Sequence, residues 1–222
     1  MGGIMMKMNY KGFMREKIER NPVTISPDAS FFQAQNLIRD SGISHLPVVD
    51  KNLRLVGIVT EREIREADLY IRKAGSSNAT TLSADEWNYL LEHLKVSGFM
   101  RPKNKVITIT TDTLVEEAVR LLREHQVGCL PVLEGQTLYG IFTETDALDF
   151  LVDIFGLDQK GTRLTIALED RPGALLGVLE VLKSHEVNVI SVVSTSIMSE
   201  GKRIAGFDES CSSKGPQVQT GL

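Results

Sequence analysis

Gly140-Ile141-Phe142-Thr143-Glu144-Thr145-Asp146 and, earlier in the chain, Gly57-Ile58-Val59-Thr60-Glu61-Arg62-Glu63 decide how this sequence folds. Each stretch runs from an apolar strand into a polar turn and then into helical spacing. A hydroxyl at the helix N-cap and a carboxylate three residues later form a capping box. The first amides of a helix have no intrahelical partner, so its N-terminus is also an anion site. The same residues therefore serve as a helix cap or hold a phosphorylated ligand, and the local pattern leaves both open.

Around these stretches the chain repeats itself. Gly12-Phe13-Met14-Arg15 recurs as Gly98-Phe99-Met100-Arg101, and Val23-Thr24-Ile25 as Ile107-Thr108-Ile109. Asp28 and Asp112, Ala34 and Ala118, and Leu46-Pro47-Val48 and Leu130-Pro131-Val132 share one offset of 84 residues. Each copy predicts a short strand (Val23–Ile25 or Val106–Ile109) and then a helix. The first helix is capped by Ser30 with Gln33, buries Phe31, Ala34, Leu37 and Ile38, and ends at Gly42. The second is capped by Thr113 with Glu116 and buries Val115, Ala118, Leu121 and Leu122. Strands follow at Leu46–Val49 and Leu130–Leu133, each starting beside a proline. Strands Leu55–Val59 and Leu138–Phe142 and a final helix complete a β-α-β-β-α unit.

The strand-start stretches Ser44-His45-Leu46-Pro47-Val48-Val49-Asp50 and Gly128-Cys129-Leu130-Pro131-Val132-Leu133-Glu134, with the two closing stretches, resemble a tandem pair of CBS domains, the Bateman module. The resemblance implies an α/β (α+β) fold with two clefts between the copies, each taking an adenosine-containing ligand: AMP, ADP, ATP or S-adenosylmethionine. The first cleft would set Val23, Ile43, Ser44 and His45 around a base, with Ile141, Thr143, Thr145 and Asp146 on the ribose and phosphate. The second would use Ile107, Val127, Gly128 and Cys129 with Ile58, Thr60, Arg62 and Glu63. Glu63 stands where the family has aspartate, so the cleft carrying Asp146 is the preferred one. Arg62 reads as a phosphate contact or a solvated charge, and His45 as a packed or ligand-touching imidazole. Such pairs also serve as ligand-free homodimerisation platforms.

Between the copies, Gly75–Thr81 reads as a loop. Ser83 with Glu86 caps a helix carrying Trp87, Leu90, Leu91 and Leu94, which packs on its own domain or on a second copy. After the connector Gly156–Gly161, Leu164, Ile166 and Leu168 alternate as in a strand. Asp170-Arg171-Pro172-Gly173 is a turn, and Leu175, Val178, Leu179 and Leu182 form one helical face. Strands follow at Val187–Ile190 and Arg203–Phe207. This resembles the first part of a ferredoxin-like ACT domain, which implies an amino-acid site near Asp170, Gly173, Ala174 and Asn188, between paired chains. The last helix and strand of that fold are not visible. The predicted organisation is therefore 8–74 and 98–155 for the two CBS motifs, 75–97 for the inserted loop and helix, 162–208 for a partial ACT-like domain, and 209–222 for a polar tail. The combination resembles the acetoin-utilisation-type regulatory proteins of bacteria.

Composition narrows the function. The 222 residues are 42% hydrophobic and 24% charged with a formal net charge of −4, as in globular protein. No basic block or helix-turn-helix points to nucleic acid. No apolar run is long enough to span a bilayer, and the Met-rich N-terminus lacks the pattern of a signal peptide. Two cysteines, Cys129 and Cys211, make neither a disulfide framework nor a metal site, and Cys129 reads as core. No nucleophile–base pair, metal-ligand cluster or P-loop is present. The expectation is a cytoplasmic, homodimeric regulator, not an enzyme, with a nucleotide or S-adenosylmethionine as its regulatory ligand, no catalytic cofactor and no metal.

Overall fold

The computed structural model describes residues 18–76, 83–158, 161–199 and 202–210. The predicted repeat Gly12–Arg15, most of the predicted loop at 75–81, and residues 211–222 of the predicted tail lie outside them. Two compact units divide the chain, 1–147 and 148–222.

In the first unit, β1 (Glu19–Arg20) is followed by α1 (Phe31–Ser41), β2 (His45–Val49), β3 (Leu55–Thr60) and α2 (Glu61–Ser76). Ser30 and Gln33 cap α1 reciprocally, and Gly42 ends it at φ 64°. Phe31, Ala34 and Ile38 are buried and Leu37 packs against them, as the spacing predicts. Residues 23–25 do not form the predicted strand. Ile25 makes a single parallel bridge to Val48, bonding the carbonyl of Pro47 and the amide of Val49. The strand starts at His45, so Pro47 is third in it and not second as the predicted start at Leu46 has it. Its nitrogen faces the same side as its carbonyl, upstream of where Ile25 pairs, so no ladder bond is lost.

The inserted helix α3 (Ala84–His93) carries the Ser83–Glu86 capping box. It packs on its own motif: Leu91 is buried in the core of α1, β2 and α2, with Trp87 and Leu94 against it. Arg72 of α2 lies over the Trp87 ring, 5.0 Å from its centre. The chain then hydrogen-bonds to the start of α1 through Leu94 and Val96. Two residues, β4 (Arg101–Pro102), lead into the second copy: β5 (Ile109–Thr110), α4 (Val115–His125), β6 (Cys129–Glu134), β7 (Thr137–Thr143) and α5 (Glu144–Ile154). The predicted strand at 106–109 shrinks to β5 because a 3-10 turn occupies Lys103–Lys105. The predicted Thr113–Glu116 cap is not made. Leu114 is the N-cap of α4, and the Thr113 hydroxyl instead accepts from the Thr110 amide.

The sheets are completed by exchange. β4, which precedes the second copy, pairs with β3 of the first (Arg101 opposite Ile58, Pro102 opposite Gly57). β1, which precedes the first copy, pairs with β7 of the second (Glu19 opposite Ile141, Arg20 opposite Gly140). Glu19 thus holds the place that Arg101 holds, whereas sequence matching sets Arg15 against Arg101. The two sheets run β2-β3-β4 and β1-β7-β6-β5. Ile58 and Ile141 meet between the copies with Cys129 and Val106.

The second unit holds β8 (Thr162–Glu169), α6 (Ala174–Ser184), β9 (Asn188–Ser199) and β10 (Lys202–Ser210). Its antiparallel sheet runs β8-β10-β9, and one face packs Leu164, Ile166 and Leu168 against Val178, Leu179 and Leu182 of α6. β10 continues through Asp208, Glu209 and Ser210, which the polar composition assigns to a tail. Pairing on both sides, with β8 and β9, overrides that composition.

The exchange leaves no room at Gly57: a Cβ there would lie 2.6 Å from the Arg101 carbonyl and 2.7 Å from the Met100 sulfur. Gly57→Ala is therefore expected to cost about 1–3 kcal/mol in urea unfolding. An unchanged midpoint would mean that β4 does not pair there.

Candidate functional site

Thr60 ends β3 and Thr143 ends β7, and each begins a helix. In both copies the acid caps the turn, but the box is reciprocal only at Thr143, whose hydroxyl accepts from the Asp146 amide, whereas the Thr60 hydroxyl accepts from the Arg62 amide. Glu63 Oε2 accepts from the Thr60 amide at 3.1 Å and from its hydroxyl. Asp146 Oδ2 accepts from the Thr143 amide at 2.6 Å and its hydroxyl at 2.7 Å. The cap reading thus describes the geometry of both turns, and any ligand role falls to atoms the cap leaves over.

The two turns differ in what reaches the carboxylate. Glu63 Oε1 accepts from Arg101 Nη2 at 2.7 Å and Nε at 3.2 Å. The Glu63 side chain is 8% exposed and that of Arg101 30%. Burial pushes the Glu63 carboxyl up. The Thr60 hydroxyl, the Arg101 hydrogen bonds and the Arg101 charge outweigh it and hold the group below its ordinary 4.5. At the register position where β4 places Arg101 opposite Ile58, β1 places Glu19 opposite Ile141.

All eight residues of the predicted second cleft line one cavity of about 730 Å³, within the usual range for a small-molecule site. Its apolar wall is Ile58, Val106, Ile107, Val127 and Cys129, with Met100 from the exchange segment. Its polar wall is Thr60, Arg62, Glu63, Glu66, Arg101 and Lys105, with His45 and His125. Arg62 is exposed and pairs with Glu66 at 2.8 Å. Cys129 is buried, and burial pushes its thiol up to about 12, which removes it as a nucleophile at neutral pH.

The first predicted set is dispersed. His45 faces the cavity of the second set, with its Nε2 2.6 Å from where a Cβ on Gly128 would stand. Ile43 and Ser44 line a separate cavity of about 380 Å³ with Ile38, Arg39, Glu61 and Arg65. Val23 is 36% exposed and Ile141 is buried in the contact between the copies. Thr143 and Asp146 are half-buried in their cap and Thr145 is exposed. The cavity of about 730 Å³ lies at the cleft carrying Glu63.

Burial, the largest influence on His45, pulls its imidazole below the ordinary 6.5. Glu144, Glu63 and Glu61 oppose this, and Arg101 adds to it. The ring therefore faces the cavity neutral at pH 7.

Sequence reasoning missed Arg101, Lys105 and His125. Arg101 had a signal, since it closes the repeated Gly-Phe-Met-Arg stretch. Lys105 and His125 had none. Among the described residues no three His, Cys, Asp or Glu side chains gather to hold a metal, and no helix is long and apolar enough to cross a membrane.

In the second unit Asp170 and Gly173 occupy the exposed turn before α6, and Ala174 begins that helix. Asn188 begins β9 opposite Ser210, beside the Thr162 end of β8. The turn follows the other end, at Glu169. Roughly eight residues of strand, about 25 Å, separate them, so one chain does not bring the predicted amino-acid residues together.

Residues 14–70 and 96–153 match the CBS domain family. A CBS domain-containing protein of Dictyostelium discoideum is 32% identical over 145 residues, 65% of this chain and 94% of its own. An uncharacterised protein of Methanocaldococcus jannaschii is 29% identical over 154 residues, 67% of this chain but 33% of its own length. Among solved structures, one described as the acetoin utilization protein AcuB of Vibrio cholerae superposes with a TM-score of 0.52 at 23% identity, covering 65% of this chain and 93% of its own. CBSX2, solved in complex with AMP, does so with a TM-score of 0.50 at 23% identity, covering 65% and 96%.

Glu63→Ala should destabilise the protein by about 3 kcal/mol, the lower end for a broken buried pair because Arg101 is partly exposed; a double Glu63→Ala, Arg101→Met variant should recover part of that loss. Stability should also fall with pH in two stages. His45 and Glu63 both bind protons more weakly folded than unfolded, so each contribution is lost as pH falls. The His45 stage begins below about 6.5 and the Glu63 stage below about 4.5. Urea midpoints measured from pH 8 to about 2.5 should show both, and His45→Gln should flatten only the first.

Proposed function

The chain belongs to the CBS domain family, two copies in tandem, and from that premise we propose a regulatory sensor of an adenosine-containing ligand: AMP, ADP, ATP or S-adenosylmethionine. The observation that carries this reading is the cavity of about 730 Å³ between the copies. It offers an apolar slot suited to a flat ring beside polar and cationic groups suited to a sugar and a charged tail. Each wall draws residues from both copies, so a ligand that binds one relative arrangement better than another shifts the balance between them. The AMP held by the similarly folded CBSX2 makes AMP the first ligand to try. The sensor would act in the cytoplasm as a homodimer, on a partner still to be identified.

A second reading has its own support. Both carboxylates, Glu63 and Asp146, are already engaged by their caps, which suits a ligand-free homodimerisation module. The β8-α6-β9-β10 unit is proposed as a partial ACT-like domain. The separation of Asn188 from the Gly173 turn means that an amino-acid site there would need residues of two chains.

Thermal melting with AMP, ADP, ATP and S-adenosylmethionine tests the sensor. A ligand at about 100 times its Kd adds roughly 2.7 kcal/mol, a rise of about 5–10 °C for a protein of this size. Ile107→Arg, which fills the apolar slot, should abolish the rise. If no adenosine ligand moves the melting temperature, the sensor reading fails and the dimerisation module stands.

A further inference from the structure

The sheet of the second unit has two edges, and they are built differently. At one edge β9 pairs with β10 through two register shifts, between Arg203 and Ala205 and between Asp208 and Glu209. Bulges of this kind blunt an edge against further pairing. At the other edge β8 runs from Thr162 to Glu169 in unbroken register with β10. Among the described residues no strand lies on its outer side. β8 carries none of the usual edge protections: no proline, no glycine, no lysine, and no charge between Arg163 and Glu169. Alternate residues of an antiparallel strand point their N–H and C=O groups away from the neighbour they pair with, so this edge presents an open row of backbone donors and acceptors.

The sequence of the edge is self-complementary. Leu164, Ile166 and Leu168 lie on the face that packs α6, and Thr165 and Ala167 lie exposed on the other. A partner strand must therefore pair even positions with even ones, or the apolar set changes face. Turning β8 about Ile166 does this. It sets Arg163 against Glu169 of a second copy, Leu164 against Leu168, Thr165 against Ala167, and Ile166 against itself. Centring on Thr165 instead leaves Arg163 opposite Ala167, and centring on Ala167 leaves Glu169 opposite Thr165. Opposite charges stabilise a cross-strand pair, so the charges select the centre at Ile166. The same rotation keeps α6 of both copies on one face, where Leu176 and Val181 are more than half exposed. Glu169 pairs with Arg171 at 2.6 Å, with both side chains exposed, and such a surface pair is weakly held. Arg163 lies over the Phe155 ring, 5.9 Å from its centre, a contact that does not use its N–H donors.

We propose that β8 is a dimerisation edge: two copies of this chain join β8 to β8, antiparallel about Ile166, with an Arg163–Glu169 pair between chains at each end. The two three-stranded sheets then become one of six strands. The proposal deepens the homodimer reading given above, to which it adds a surface and a register.

Hydrogen exchange on the full chain, with its mass followed by sedimentation over a range of concentrations, tests it. The expected mass is twice the 24.6 kDa of one chain. The outward amides of β8 should be protected in the dimer and exchange faster on dilution. The interface is two-fold, so one substitution alters both ion pairs. Arg163→Glu alone and Glu169→Arg alone should each weaken the protection of β8 by about tenfold, and the two together should restore it. A dimer whose outward β8 amides exchange freely overturns the proposal and leaves the homodimer reading standing. A monomer at every concentration overturns both. Protection that neither dilution nor either reversal alters means that the chain's own residues cover the edge, and it overturns the proposal, as does a double variant no better protected than the single ones.

Discussion

The exchange of edge strands is the constraint from which the rest of the first unit follows. Each three- or four-stranded sheet is finished by two residues that belong, in sequence, to the other copy's approach. Neither sheet is complete without the other copy's leader, so the copies form one folded unit. The same exchange carries Arg101 to Glu63. A guanidinium from the segment entering the second copy neutralises a carboxylate at the start of a first-copy helix, and the cavity opens at that junction. The backbone pairing sets the position and the ion pair supplies the chemistry.

That ion pair also separates two roles that the local pattern leaves superposed. A threonine and an acid three residues apart satisfy a helix N-terminus whether or not a ligand is present. In both copies the cap is made, and it uses one carboxylate oxygen. The second oxygen decides the character of the cleft. Glutamate, longer by a methylene, spans from Thr60 to Arg101. The near-symmetry of the sequence thus conceals a difference in register: Arg101 stands opposite Ile58, and Glu19 stands opposite Ile141.

What was legible in the sequence is what short-range periodicity and repetition encode. The burial of Phe31, Ala34 and Ile38, the Ser30 and Ser83 caps, the Gly42 stop and the order β-α-β-β-α all follow from spacing of a few residues. The eight residues that the resemblance assigns to the second cleft line one cavity. What was not legible depends on partners distant in the chain. Nothing local to Glu19 says that it pairs with Ile141. The match of Gly12-Phe13-Met14-Arg15 to Gly98-Phe99-Met100-Arg101 lies outside the described residues, and it gives no hint that Glu19 takes the register position of Arg101. Ser210 looks like tail until β8 and β9 are placed on either side of β10. Thr113 fits a cap until the Thr110 amide takes its hydroxyl. His45 was assigned to one cleft and faces the other, because a strand residue's side is set by register and not by its neighbours in sequence.

The exchange limits how far the two copies can move over one another. The copies meet at a small apolar contact of Ile58, Cys129, Ile141 and Val106. Two short antiparallel pairings and a bridge between Arg54 and Thr137 tie the sheets together around it. Sliding one copy far over the other would break these backbone bonds, and buried peptide groups left unpaired are costly. Small rotations about the apolar contact keep them. Such rotations alter the width of the cavity and the reach of Arg101 to Glu63 while leaving each copy's core intact. The Glu63–Arg101 pair borders the cavity, and its two ends come from the two sides of the exchange: the start of a first-copy helix and the segment that enters the second copy.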